Sequence, residues 1–194
     1  MKEVLTSVGP IDVLVLNAAA THPSDVATID LKDGVMEDVF NTNVLGPWNI
    51  VKTYLSLPAP PSGTRTVLNV SSGALHLYMP RNGGYGASKA AFTQMMSFLA
   101  DEYSPEKDGI RLLSFHPGAF LTSMARSVGF NENSFGGNWE DIRLPGHFAV
   151  WLASREADFL HGRFVWSYWD VEELIAQEQK FEQDPNFLRI GLLL

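Results

Sequence analysis

The 194-residue chain sets 22 acidic against 14 basic residues, for a net charge of −8, with 45% hydrophobic positions and no cysteine. That balance repels phosphate backbones and anionic lipid surfaces, so nucleic acid and membranes are excluded as partners. The missing thiols exclude disulfides, thiolate zinc sites and cysteine nucleophiles, and they fit a cytoplasmic location.

With 16 glycines and 11 prolines and aromatics along its whole length, the chain is neither low-complexity nor disordered, and it is long enough to bury roughly 70% of its unfolded surface. The start mimics a secretion signal, because Lys2 precedes an apolar stretch and Ala18-Ala19-Ala20 looks like a cleavage site. Pro10 and Asp12 interrupt that stretch, so residues 11–16 (IDVLVL) read instead as a buried strand. A helical pattern follows over 35–57, then a second apolar run at 66–70 (TVLNV), a helix over 84–104, a third run at 111–115 (RLLSF), a helix over 144–154, a fourth run at 163–166 (RFVW) and a charged helix over 171–183. Unalternating apolar runs predict strands buried on both faces, and crossovers of this length predict a parallel sheet with helices on both faces, an α/β fold. The pattern makes residues 1–194 one domain, with its core ending near 170 and a charged helical tail over 171–194. The terminal Leu192-Leu193-Leu194 is not a peroxisomal address.

Ligands of such sheets bind beyond the carboxyl ends of the strands. After the second run come Ser71 and Ser72, and thirteen residues beyond Ser72 stands Tyr85, opening Tyr85-Gly-Ala-Ser-Lys89 at the start of a helix. Tyrosine and lysine at i and i+4 share a helix face, so the ammonium is expected to lower the phenol pKa toward the neutral range that a proton-transferring tyrosine requires. Ser72 would hold a carbonyl or alcohol oxygen while Tyr85 moves the proton. His22, His76, His116, His147 and His161 never fall at a ligand spacing, so no metal site is expected.

The arrangement of serine, tyrosine thirteen residues on, lysine four further, and an upstream asparagine (Asn43 in Asn43-Val44-Leu45-Gly46) resembles the short-chain dehydrogenase/reductase family. The segment ending Asn17-Ala18-Ala19 is similar to the family's Asn-Asn-Ala-Gly, with Leu16 and Ala19 as departures. Pro117-Gly118-Ala119-Phe120-Leu121-Thr122 resembles its Pro-Gly-x-x-x-Thr. The tail WSYWDVEEL resembles the ending common among fungal members. The resemblance implies a Rossmann-like fold and hydride transfer between NADP(H) or NAD(H) and a small-molecule carbonyl or secondary alcohol, in keeping with secondary-metabolite biosynthesis. By the same resemblance Tyr85 is the acid/base, Lys89 binds the nicotinamide ribose, Ser72 orients the substrate oxygen and Asn43 holds a relay water. Asn17, Tyr85, Lys89, Phe120 and Thr122 contact the cofactor, the last two embracing the carboxamide.

The family also opens with a strand, a glycine-rich turn and further strand–helix units, roughly 75 residues that this sequence lacks. The fold is therefore expected to be truncated at its N-terminus, with the 11–16 strand exposed at the sheet margin and the pyrophosphate anchor missing. A cofactor-deficient, inactive fragment or a dimeric binding module is the alternative reading. The helices over 35–57 and 84–104 resemble those that pair as a four-helix bundle in family homo-oligomers, with Met95, Met96, Phe98 and Leu99 as the apolar surface. Met124, Phe130, Phe135 and Trp139 fall where the family carries its substrate loop and suggest an apolar lid.

Overall fold

A computed structural model describes residues 1–191, so the reading of residues 192–194 lies outside it. The element order is α1 (Lys2–Ser7), β1 (Val13–Leu16), α2 (Val35–Phe40), α3 (Gly46–Ser56), β2 (Arg65–Val70), α4 (Gly83–Glu102), α5 (Pro105–Asp108), β3 (Ile110–His116), α6 (Ser123–Ser127), α7 (Leu144–Ala153), β4 (Phe164–Trp166), α8 (Val171–Ile175) and α9 (Glu178–Gln183). The four strands are all parallel in the order β1-β2-β3-β4, and their register sets Leu16, Asn69, Ser114 and Phe164 side by side across the sheet. That alignment brings the carboxyl ends of the strands to one rim, where the polar residues after each run collect.

Successive side chains of a strand point to opposite faces, and the core divides accordingly. Val67 and Leu112 face a cluster with Val51, Tyr54, Phe92 and Met96, whereas Leu68 and Leu113 face one with Phe148, Leu152, Leu160 and Phe181. Helices thus cover both faces, as the unalternating runs predict. Buried Arg111 ties the second face together from below: its guanidinium lies 2.8 Å from Asp158 and donates to the carbonyls of Leu152 and Ala153 at the end of α7.

Four expectations need correction. The first strand is not buried on both faces as its apolar run suggests: it forms the sheet margin, as expected from the family resemblance, with Val13 38% and Val15 46% exposed. The 35–57 helix is interrupted by a π-helical turn at Asn41–Leu45, and the 171–183 helix breaks between α8 and α9. Lys2–Ser7 forms a short helix that no periodicity signalled. Met96 and Leu99 belong to the core, leaving Phe98, 59% exposed, as the outward member of the apolar set proposed for subunit contact.

Candidate active site

Tyr85 and Lys89 lie in the first two turns of α4, on one face, and Ser72 caps the short turn that follows β2, accepting from Ala74 N at 3.2 Å. Small residues make this approach feasible. A Cβ at Gly86 would lie 2.7 Å from Ala74 O, and one at Gly73 would lie 3.0 Å from the Trp166 ring, so the Ser72 turn is pressed between α4 and β4. Lys89 is 6% exposed, its Nζ donates to Val70 O at 2.9 Å and sits 5.9 Å from the Tyr85 ring centre.

Electrostatics differ from the sequence-based expectation. Burial pushes the Tyr85 phenol above its ordinary value of 10, and the hydrogen bond with Ser72 only partly offsets that. Lys89 is itself lowered to about 8 by burial. A partly dehydrated ammonium already bonded to a carbonyl does not pull the phenol down, so in this structure Tyr85 stays protonated at neutral pH.

Tyr85, Lys89, Asn17, Phe120 and Thr122 line one cavity of about 620 Å³, which also reaches Met124 and the start of α7. Five of the seven residues singled out in the sequence are therefore brought together, and Ser72 lies close enough to the phenol to moderate its pKa. Gly118, at φ 109°, turns the chain so that the Phe120 ring lies against it, and Thr122 Oγ1 accepts from Ala125 N at 3.2 Å while its proton stays available to a ligand. The loop is latched by Glu140, whose Oε2 accepts from Ala119 N at 2.8 Å while its own N–H donates to Ala119 O at 3.1 Å.

Asn43 sits elsewhere. It is 2% exposed in the π-turn, where Gly46 N–H reaches back to Asn41 O, and both ends of its side-chain amide are hydrogen-bonded. Oδ1 accepts from Ala20 N at 2.8 Å, while Nδ2 donates to Ala20 O at 2.8 Å and to Ser88 Oγ at 2.9 Å. Both amide protons are spent, so the Asn43 side chain stitches the loop after β1 to α4, and only the second lone pair of Oδ1 is left to hold a relay water. It borders a smaller cavity of about 170 Å³ shared with Asn17 and Lys89.

Around this centre, Phe130 and Phe135 stack at 5.2 Å and Trp139 meets Phe135 edge-on at 5.2 Å, so the apolar loop residues pack on one another while Met124 faces the main cavity. His116, between the cavity-lining Phe115 and Pro117, packs 4.4 Å from the Trp166 ring, and burial together with His76 lowers its pKa to about 4. Two engaged residues were not anticipated: Glu140, which no motif marks, and His22, whose Nε2 accepts from Gly84 N at 3.1 Å. Among the described residues, no group of three or more His, Asp or Glu side chains is placed to hold a metal, and no helix is long and apolar enough to cross a membrane.

A comparison of the sequence with known families matches the short chain dehydrogenase family over residues 1–133. The chain belongs to that family. Short-chain dehydrogenase relatives include nsrO of Aspergillus novofumigatus, 45% identical over 100% of this chain, and AacuD of Aspergillus aculeatus, 46% identical over 100%, both named short chain dehydrogenase/reductase. The chain spans 66% of the length of each. Among solved short-chain dehydrogenase folds, the angucycline C-6 ketoreductase LanV with bound NADP superimposes with a TM-score of 0.72 at 22% identity, covering 86% of this chain and 65% of that one. A variant actinorhodin polyketide ketoreductase with NADPH gives 0.73 at 23% identity, covering 85% and 69%.

Proposed function

We propose that this chain carries the catalytic part of an oxidoreductase that reduces a ketone of a bulky small molecule with NADP(H). The observation that carries the proposal is the convergence of Tyr85 and buried Lys89 on one 620 Å³ cavity, with Ser72 beside the phenol. NADP(H) rather than NAD(H) rests on the ketoreductases of the same fold, which hold NADP and NADPH. The residues present suit the nicotinamide end of such a cofactor: Asn17, Lys89, Phe120 and Thr122 line the cavity, and the Thr122 hydroxyl proton is free to donate. When bound, the reduced nicotinamide supplies the hydride. Tyr85 donates its phenolic proton to the carbonyl oxygen as the carbonyl carbon is reduced, yielding an alcohol and a phenolate. Ser72 donates a hydrogen bond to the same oxygen, where negative charge develops. Lys89, still cationic below its pKa of about 8, stabilises the phenolate once the proton has left. The apolar Phe130–Phe135–Trp139 loop and Met124 favour a flat or aromatic substrate body.

A second reading, a chain that keeps these residues yet grips cofactor weakly, is favoured by the open β1 margin, where Val13 and Val15 are exposed. Calorimetric titration of these 194 residues with NADPH separates the two. Contacts to one end of a dinucleotide leave the cost of immobilising the whole molecule, and a dissociation constant near the millimolar range, about −4 kcal/mol, is expected. A micromolar constant overturns the second reading. In the protein that turns over, Tyr85→Phe lowers kcat by roughly a hundredfold or more and leaves NADPH affinity nearly unchanged; retained activity removes Tyr85 from the mechanism.

A further inference from the structure

We propose that His22 is a positioning residue that holds the backbone of Tyr85 in place, a role that rests on the oxidoreductase reading above. The first turn of any helix has orphan N–H groups, and Asn82, at the N-cap of α4, makes no side-chain cap bond. His22 supplies the missing acceptor from outside the helix: its Nε2 accepts from Gly84 N at 3.1 Å, in the peptide that precedes Tyr85 by one residue. Its other ring nitrogen lies 2.8 Å from Pro23 O. A carbonyl only accepts and an amide N–H only donates, so Nδ1 carries the proton and Nε2 the lone pair, which defines one neutral tautomer. The ring is 2% exposed, and Gly84 leaves room for it, since a Cβ there would lie 2.9 Å from His22 Cδ2 and 2.5 Å from Met36 Sδ.

The other side of Tyr85 is gripped from the same loop. Tyr85 O accepts from Ser88 Oγ at 2.7 Å, Ser88 Oγ accepts from Asn43 Nδ2 at 2.9 Å, and Asn43 binds both backbone groups of Ala20. The loop after β1, at Ala20 and His22, therefore clamps the tyrosine from its N-terminal and C-terminal sides, in the first turn of α4. Displacement of a reacting group by about an ångström costs roughly a hundredfold in rate, so a clamp at this point acts on the chemistry through Tyr85.

The wild-type protein provides the first test. Long-range nitrogen–proton NMR is expected to show His22 protonated on Nδ1 and bare on Nε2, and an Nε2-protonated ring overturns the proposal. Two variants follow: His22→Gln sets an amide oxygen near the position of Nε2, and His22→Phe fills the volume without an acceptor. With carbon-13-labelled tyrosine, His22→Phe is expected to bring the Tyr85 phenol titration toward that of free tyrosine and to speed Gly84 amide exchange by roughly tenfold or more, whereas His22→Gln preserves both. With NADPH and 2-tetralone as probes, kcat falls roughly tenfold to a hundredfold in His22→Phe, the KM for NADPH changes by less than about threefold, and His22→Gln restores the rate. A folded His22→Phe protein with unchanged Tyr85 titration and kcat overturns the proposal. Absence of NADPH-dependent turnover in the wild type counts against the oxidoreductase reading alone, because the tautomer and the Tyr85 titration still decide the role of His22.

Discussion

The two margins of the sheet are built from equally apolar strands and end in opposite conditions. At the β4 margin the tail folds back: Phe164 N donates to Leu188 O at 2.9 Å, Arg163 donates to the carbonyls of Pro185 and Phe181, and Arg189 pairs with Asp101 at 2.7 Å. Val165 is fully buried there and Phe181 nearly so. At the β1 margin, Val13 and Val15 stay open to solvent with an unpaired strand edge. The difference teaches that a VLVL run and an FVW run encode the same local preference, and that burial is conferred by the segment that reaches the edge.

The largest expected effect lies near the sealed margin. His116, at the end of β3 against Trp166 of β4, has a pKa lowered to about 4 by burial and by its neighbour His76. Unfolded histidine takes up a proton near 6.5, so between the two values the unfolded chain binds more protons and folding is weakened. The stabilisation is complete above about pH 6.5 and is lost as pH falls toward 4. Urea titrations at pH 7.5 and 4.5 should differ by roughly 2–3 kcal/mol from this group, a loss that His116→Gln removes. An identical acid slope in the variant would place the titrating group elsewhere.

Valine-to-threonine changes then set one margin directly against the other. Val165→Thr buries a hydroxyl where the strand is covered and is expected to cost about 2 kcal/mol, while Val15→Thr on the open strand costs less than about 0.5 kcal/mol. Equal costs in chemical denaturation would mean that the β1 margin is covered in solution. Sedimentation of a Val15→Lys protein sharpens the same point: if open strand edges pair between copies, the added charge lowers self-association, and a monomer that is unchanged by it shows the edge unused.

A further effect concerns the polar floor between the margins. Lys89, with its pKa lowered to about 8, bears the cost of a buried ammonium at neutral pH, offset by its bond to Val70 O. Lys89→Met is therefore expected to raise stability by about 1 kcal/mol while abolishing the proposed ketone reduction, measured by urea midpoint and turnover. A destabilised variant would show that the Val70 bond outweighs desolvation.

What the sequence determined by itself is what depends on spacing along one element. Apolar runs without alternation require strands covered by helices, and the i, i+4 relation of Tyr85 and Lys89 requires a shared helix face wherever that helix lies. Asn17, Phe120 and Thr122 were legible through the resemblance of Asn17-Ala18-Ala19 and Pro117–Thr122 to the family's motifs, and the parallel register explains why segments following β1 and β3 meet at one rim. The tertiary structure decided everything that depends on a partner distant in the chain. Asn43 lost its amide protons to Ala20 and Ser88, His22 became a cap for a helix 62 residues away, and Met96 and Leu99 turned inward. The direction of the Tyr85 shift also belongs there, because desolvation is set by how much of the fold closes over the phenol, a quantity that no local spacing encodes.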